Sequence, residues 1–211
     1  MKAAYDISIT TYCQAFCAGC QRNDQDGNFL HQFEQNHMDF NLFCKIMDQV
    51  DTLENIAFIQ LCGELGDPMM HPRIDDILTR IFQTQSKCVI NTNGALRNAK
   101  WYTKWSSQPG LQIEWGIDGL DHDTNWKYRV GVNWIKAWDN MTAWFDNNGK
   151  GAWHFILFEW NIDQVPEVAK LAKEKFDCNL VFKITESDTG RDGIMPGSLL
   201  TRARKLVNEY G

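Results

Sequence analysis

The sequence predicts an α/β fold in which six parallel strands form a curved, incompletely closed barrel surrounded by helices. An apolar strand followed by an amphipathic helix recurs about six times, which is typical of a crossover-connected parallel sheet. The clearest strands also alternate polar with apolar side chains, whereas a closed eight-stranded barrel fills its interior with branched apolar residues. Because purely parallel sheets are covered on both faces, these observations favour a partial (β/α)6 TIM-like barrel with a wet lumen over a flat sheet with one solvated face.

The predicted elements alternate strictly along the chain. In the fourth strand Glu114 lies opposite Ile113 and Trp115, because successive side chains point to opposite faces. Residues 148–151 (NGKG) end a helix before the fifth strand, and Pro166 is tolerated in the first turn of the next helix. We expect strands over 4–11, 56–62, 87–92, 111–117, 152–160 and 179–185, and helices over 40–50, 73–84, 98–106, 132–147, 164–175 and 198–209.

Length and charge restrict the class of protein. The 211 residues predict a single domain over 1–211, in which a loop and helix over 186–211 cover the barrel. With 21 Lys and Arg against 27 Asp and Glu, no broad basic surface is expected, so nucleic acid is not a predicted partner. No apolar run approaches the roughly 20 residues that span a bilayer. The N-terminus lacks the apolar stretch of a signal peptide, so we expect a cytoplasmic protein without membrane contact.

Three of the seven cysteines lie in one short segment directly after the first predicted strand. Cys13, Cys17 and Cys20 can converge from one loop, and three soft sulfur ligands suit either an iron–sulfur cluster or zinc. A structural zinc site needs a fourth ligand, for which His31 and His37 are the near candidates. The other cysteines are dispersed and the total is odd, which does not indicate a disulfide framework.

Short glycine-containing segments follow the later strands in the same way. Together with the C-x3-C-x2-C loop they resemble the motifs of the radical S-adenosylmethionine (SAM) superfamily, in the branch that includes the SPASM and twitch enzymes. The resemblance extends from residue 3 to about residue 185 and corresponds to the catalytic core of that family. The segments are CGELGDPMMHP (62–72), similar to a glycine–glutamate–proline segment with extra residues, NTNG (91–94), GIDGL (116–120) and YRVG (128–131).

The resemblance implies a radical mechanism. Cys13, Cys17 and Cys20 would be the catalytic residues and hold a [4Fe–4S] cluster with one iron open for the amino and carboxylate groups of SAM. Reductive cleavage of SAM would give a 5′-deoxyadenosyl radical, which abstracts hydrogen from a polar small-molecule or peptide substrate. A single cluster and a reductant such as flavodoxin or ferredoxin are therefore expected.

The same resemblance implies five residues that bind the cofactor SAM. Glu64 matches the glutamate that accepts from the SAM ammonium group, and Gly63 lets the backbone come close to SAM. Arg129 matches the arginine that pairs with the SAM carboxylate, to which a planar guanidinium is suited. Asn93 and Asp118 lie at strand ends and reach the SAM ribose or the substrate, although Asn and Asp before Gly are also ordinary turn residues.

The chain departs from the family pattern at two positions that concern how SAM packs. Gly19 stands where relatives place an aromatic residue, and Gly116 stands where many have Ser. Further polar residues are candidates for substrate contacts or proton handling, although structural roles are the more common alternative for each. These candidates are Asp6, Gln60, Glu114, His154, Glu159, Lys183 and Glu186.

Two other functions remain open at this stage. One is a nucleobase-modifying enzyme similar to 7-carboxy-7-deazaguanine synthase. The other is a non-catalytic module that binds zinc through the three cysteines and a histidine.

Overall fold

Six parallel strands, hydrogen-bonded to one another in chain order, form the centre of the fold. The computed structural model describes residues 3–23, 28–30, 34–52, 56–62, 65–84, 86–184 and 197–210. Among these residues β1 pairs only with β2 and β6 only with β5, so the sheet stays open as predicted. The strands are β1 (Ala3–Asp6), β2 (Ile56–Leu61), β3 (Cys88–Thr92), β4 (Leu111–Gly116), β5 (Lys150–Leu157) and β6 (Asn179–Ile184).

Helices follow the strands and cover the outer face of the sheet. Asp39, Asn98, Asp121 and Asn133 each accept a hydrogen bond from a backbone N–H in the first turn, which fixes where four helices begin. The helix capped by Asp121 was not predicted, because five residues are too few to show helical periodicity. The helices are α1 (Phe40–Val50), α2 (Ile74–Phe82), α3 (Ala99–Ser106), α4 (His122–Trp126), α5 (Trp134–Asp146), α6 (Val165–Glu174) and α7 (Gly197–Tyr210), with short 3₁₀ turns at Pro68–Met70 and Ile162–Gln164.

The two faces of the sheet differ as the sequence predicts. Side chains such as Leu61, Ile113, Trp115 and Phe155 are fully buried between the strands and the helices. The alternate side chains of the same strands face the lumen and are only partly buried, as Glu114 shows. The core therefore lies outside the barrel wall, and the lumen keeps a polar lining.

The first strand is shorter than predicted because the chain beyond it pairs with a different segment. The Ile7 N–H still donates to the Gln60 carbonyl at 2.9 Å. From there onward, residues 9–11 bond to residues 36–38 instead: the Met38 N–H donates to the Ile9 carbonyl at 2.9 Å, and Thr10 and His37 form an antiparallel bridge. This pairing directs the chain over the end of the sheet into the cysteine loop.

The C-terminal helix α7 packs beside α6 and β6, with Ala203 fully buried in the core. Arg202 of α7 pairs with Asp163 in the turn before α6. The loop that was predicted to cover the barrel falls mainly on residues 185–196, outside the described residues, so that part stays a prediction. Among the helices that the structure describes, none has the length and apolar character needed to cross a membrane.

Candidate active site

A cavity lies at the carboxyl ends of the strands, where parallel-sheet enzymes keep their chemistry. Cys13, Cys17 and Cys20 all line it, so the tertiary structure brings the three predicted ligands to one place. The strands β3 to β6, the segments that follow β2 and α4, and the rest of the cysteine loop supply other parts of its wall. These further lining residues include Arg22, Asp67, Asn91, Asn93, Glu114, Gly116, Arg129, His154 and Lys183.

A buried arginine organises the cysteine loop. Arg22 is 2% exposed, and its guanidinium donates to the Cys13 carbonyl at 3.2 Å and to the Ala15 carbonyl. The loop is tied further by the Phe16 N–H, which donates to the Val130 carbonyl at 2.7 Å. Sequence analysis missed Arg22. The signal was available, because an arginine next to a thiol cluster is a candidate partner for its negative charge.

Burial disfavours the thiolate form of two of the three cysteines. Burial, together with the nearby Asp67 carboxylate, raises the pKa of Cys13 to about 12. Burial also raises the pKa of Cys17, although the Arg129 guanidinium opposes that change. Metal ligands must be deprotonated, so cluster binding at this loop releases protons.

Asn93 links the cysteine loop to two strand ends. Its side-chain Oδ1 accepts from Gln14 Nε2 at 2.7 Å, and its Nδ2 donates to Asp67 Oδ2 at 2.7 Å. Asp67 also accepts from the Thr92 hydroxyl and from the backbone N–H groups of Asn93 and Met69. Burial raises the pKa of this carboxyl group against the opposing effect of its hydrogen bonds. The predicted site residue Asn93 thus lines the cavity as part of a network through Asp67, which sequence analysis did not single out.

Asp118 and Arg129 form a buried ion pair. Arg129 Nε donates to Asp118 Oδ2 at 2.6 Å, and the Ile156 N–H donates to Asp118 Oδ1 at 2.7 Å. Burial alone would lower the pKa of Arg129, but the charge of Asp118 outweighs it and raises that pKa. Both carboxylate oxygens of Asp118 are therefore engaged within the protein. Arg129 lines the cavity with a permanent positive charge, and its Nη1 lies 4.0 Å from Cys17 Sγ.

Gly116 leaves the space that the arginine occupies. A Cβ added at this position would lie 2.7 Å from Arg129 Nη2 and 3.1 Å from Cζ. Any larger residue at 116 requires the guanidinium to move. The departure from the family pattern at Gly116 is thus coupled to the place of Arg129 in this chain.

No protein-family model matches the chain. Comparison with solved structures is informative at the level of the fold. SuiB of Streptococcus suis, solved bound to S-adenosylmethionine, gives a TM-score of 0.79 at 16% identity, over 100% of this chain and 48% of SuiB. The protein anSMEcpe, also solved with AdoMet, gives 0.72 at 12% identity over 98% of this chain and 60% of that one. Methylornithine synthase (PylB) gives 0.62 at 12% identity over 97% of this chain and 62% of that one.

These proteins are radical SAM enzymes built on a partial TIM barrel. This chain has the same partial-barrel fold. A curated relative, the tungsten-containing aldehyde ferredoxin oxidoreductase cofactor-modifying protein of Pyrococcus furiosus, is 30% identical over 96 residues, which is 46% of this chain and 25% of that protein. The chain therefore spans about a quarter of the curated relative and about half of SuiB.

Three cysteine thiols that line one cavity are a donor set that an iron–sulfur cluster or a metal ion can use. Ligands of one ion must converge on one point, whereas cluster thiolates bind different irons. Within the described part of the chain, no three His, Cys, Asp or Glu side chains are placed to hold one ion. His37, a candidate zinc ligand, instead bonds to the Thr10 hydroxyl at 2.8 Å and packs on Tyr12. The other candidate, His31, lies outside the described residues.

The predicted SAM contacts Gly63 and Glu64 also lie outside the described residues, so their roles remain predictions. The adjoining His71 is described: it accepts from the Arg73 N–H at Nδ1, and its Nε2 contacts the Met38 carbonyl at 2.9 Å. His71 therefore organises the loop beyond β2.

The lumen below the thiols contains several of the predicted polar candidates. Gln60 lies on β2, and Glu114, His154 and Lys183 lie on the neighbouring strands β4, β5 and β6 and line the same cavity as the cysteines. Asp6, at the end of β1, is exposed, and Glu159 lies in an exposed position beyond β5. Glu186 lies outside the described residues.

Proposed function

We propose that the chain forms the catalytic core of a radical SAM enzyme. One observation carries this proposal: Cys13, Cys17 and Cys20 share one cavity at the carboxyl ends of an open parallel barrel, beside the buried cation Arg129. The group that fits them is a [4Fe–4S] cluster, which when bound supplies an open iron and the electron that cleaves SAM into methionine and a 5′-deoxyadenosyl radical. The radical then abstracts hydrogen from a polar small-molecule or peptide substrate.

The residues of the chain would bind and orient the reactants. Arg22 holds the backbone carbonyls of Cys13 and Ala15, and Asn93 ties the cysteine loop to the end of β3 through Gln14. Arg129 offers its remaining N–H groups to the SAM carboxylate, while Asp118 fixes the plane of the guanidinium. Glu64 completes the proposed set at the SAM ammonium group, and Gly63 allows the backbone to approach.

A reductant is required, and a flavodoxin or ferredoxin in the cytoplasm fits this requirement. SuiB has also been solved with its precursor peptide SuiA, which supports a peptide as one class of substrate. The open lumen supports a small polar molecule as the other. Neither choice changes the roles proposed for the cysteines.

Anaerobic reconstitution with iron and sulfide tests the proposal. We expect a brown protein with broad absorption near roughly 400 nm, as thiolate-ligated iron–sulfur clusters show, and release of 5′-deoxyadenosine when reductant and SAM are added. Serine substitution of Cys13, Cys17 or Cys20 should remove both signals. The matched control is Cys44→Ser on α1, which lies away from the cavity and should retain them.

Two results would contradict the proposal. The first is a fully loaded cluster that never cleaves SAM in the presence of reductant. The second is stoichiometric zinc that survives anaerobic purification without the absorption of a cluster, which would support the zinc-binding module instead.

A further inference from the structure

Polar side chains from five neighbouring strands form a row across the lumen face of the sheet, and hydrogen bonds join the first three of them. The Gln60 amide donates to Asn91 Oδ1 at 3.2 Å, and Asn91 Nδ2 donates to Glu114 Oε2 at 3.0 Å. His154 Nε2 lies 3.3 Å from the same glutamate oxygen. Lys183 on β6 follows next to His154, whose ring it influences electrostatically. The row places a carboxylate, an imidazole and an ammonium group in the cavity that also contains the thiols.

Two of these groups carry charges that their surroundings do not neutralise. Lys183 forms no ion pair with the part of the chain that the structure describes. Glu114 contacts only the Asn91 amide and His154, and both contacts use Oε2, so Oε1 has no described partner. Burial and the Lys183 ammonium lower the pKa of His154 against the opposing effect of Glu114, so the imidazole is neutral near pH 7. Within this row, the Glu114 carboxylate and the Lys183 ammonium group therefore have no partner of opposite charge among the described residues.

Lys183 is exposed and Glu114 is partly exposed, so water solvates both charges, and a ligand with the opposite charges can take the place of that water. The two groups lie on β4 and β6 with β5 between them, and the register places Lys183 four residues further along β6 than the position level with Glu114, so their backbones are roughly 16 Å apart, from a strand spacing of about 4.8 Å and a rise of about 3.3 Å per residue. The glutamate side chain and the flexible lysine stem shorten this gap. A small molecule whose two opposite charges are several atoms apart can bridge the two groups.

We propose that this lumen binds a zwitterionic substrate, an amino acid or related amino-carboxylic acid, with its ammonium group on Glu114 and its carboxylate on Lys183. The assignment rests on the proposed function, because the same cavity would present a carbon–hydrogen bond of this substrate to the radical formed from SAM. His154 lies between the two charged groups, where it orients Glu114.

Binding to the SAM-loaded, anaerobically reconstituted protein tests the assignment. The ligands are the twenty free α-amino acids together with β-alanine, 4-aminobutyrate and 6-aminohexanoate, each compared with its N-acetyl and its C-amide derivative by calorimetry or ligand-observed NMR. At least one free amino acid should bind, and each derivative should bind at least tenfold more weakly.

Variants separate the two charged contacts. Glu114→Gln should lose the preference for the free ammonium group but keep the preference for the carboxylate. Lys183→Met should lose the preference for the carboxylate alone, and Lys183→Arg should restore part of it. The control Lys173→Met changes an exposed lysine on α6 and should leave the dissociation constants and SAM cleavage unchanged.

The assignment is overturned if none of these ligands binds, if acids and amides bind equally, or if the two variants weaken every ligand to the same extent. Binding of guanine that is indifferent to both variants would also overturn it and would favour the nucleobase-modifying enzyme. The release of 5′-deoxyadenosine in the absence of substrate measures SAM cleavage independently of ligand binding. It therefore distinguishes a failure of the proposed substrate class from a failure of the proposed function. Cleavage of SAM without charge-selective binding refutes only the substrate class, whereas charge-selective binding without SAM cleavage refutes only the radical activity.

Discussion

Removal of the Asp118 charge is expected to destabilise the protein through Arg129. In Asp118→Asn the new side chain can still accept from the Ile156 N–H, but an amide N–H now faces Arg129 Nε, so two donors meet. Breaking a buried pair by removing one partner costs about 3–5 kcal/mol. Asp118 is fully buried, whereas the Arg129 side chain keeps 18% exposure toward the cavity, where water reaches it. We therefore expect the lower end, about 3 kcal/mol, or a fall in Tm of roughly 6–12 °C for a domain of this size.

Urea unfolding followed by tryptophan fluorescence measures this loss, and the nine tryptophans give a strong signal. The control is Asp48→Asn, which removes a surface ion pair with Arg80. The Asp48 side chain is 70% exposed, so this substitution should cost less than about 1 kcal/mol. A double variant, Asp118→Asn with Arg129→Gln, should be more stable than Asp118→Asn alone, because the unpaired cation is removed. The reasoning fails if Asp118→Asn is no more destabilising than Asp48→Asn, or if the double variant is the least stable of the three.

Three further outcomes follow from the same contacts. Gly116→Ala and Gly116→Ser should each displace the guanidinium of Arg129. We expect SAM to bind about tenfold or more weakly, because one charge-assisted hydrogen bond is lost. An unchanged dissociation constant for SAM, measured by equilibrium dialysis, would contradict this prediction. Gly66→Ala should lower the free energy of unfolding by roughly 2–3 kcal/mol, because its Cβ would lie 2.3 Å from the Thr10 carbonyl oxygen, a backbone atom that cannot rotate away. A melting temperature equal to that of the unaltered protein would refute this prediction. The pKa of His154 is lower in the folded chain than in the unfolded chain. Below about pH 6.5 the unfolded chain therefore binds a proton that the folded chain does not bind, and the free energy of unfolding falls as the pH is lowered. His154→Gln should reduce that fall between pH 6.5 and 5, and an identical pH profile would show that the imidazole does not carry it.

The alternation of elements could be predicted from the sequence because it depends on local periodicity. A period of two residues identified strands with one polar face, and a period near 3.6 identified the helices. The helix over 40–50 was predicted with the bounds that the structure gives it, since Asp39 caps its first turn. The three cysteines were recognised for a related reason, because ligands from one loop are close in sequence as well as in space.

Contacts between distant segments could not be predicted in this way. The first strand was expected to run to residue 11, but residues 9–11 bond to residues 36–38, a choice that depends on how the intervening loop folds back. Asp67 meets Asn93 across 26 positions in sequence, which explains why its place in the site was missed. Arg22 lies near the cysteines in sequence, yet its role depends on the burial of its side chain.

The sequence by itself determined the class of fold, the polar lumen and the loop of three thiols, because periodicity and short spacings encode them directly. Only the tertiary structure decided that Asp118 engages Arg129 with both oxygens committed inside the protein, and that Gly116 makes room for this arginine. It also decided that Glu114, His154 and Lys183 adjoin the cavity of the thiols. The physical reason is that charge pairing and close packing depend on the distances between side chains from separate strands, which the register of the folded sheet alone sets.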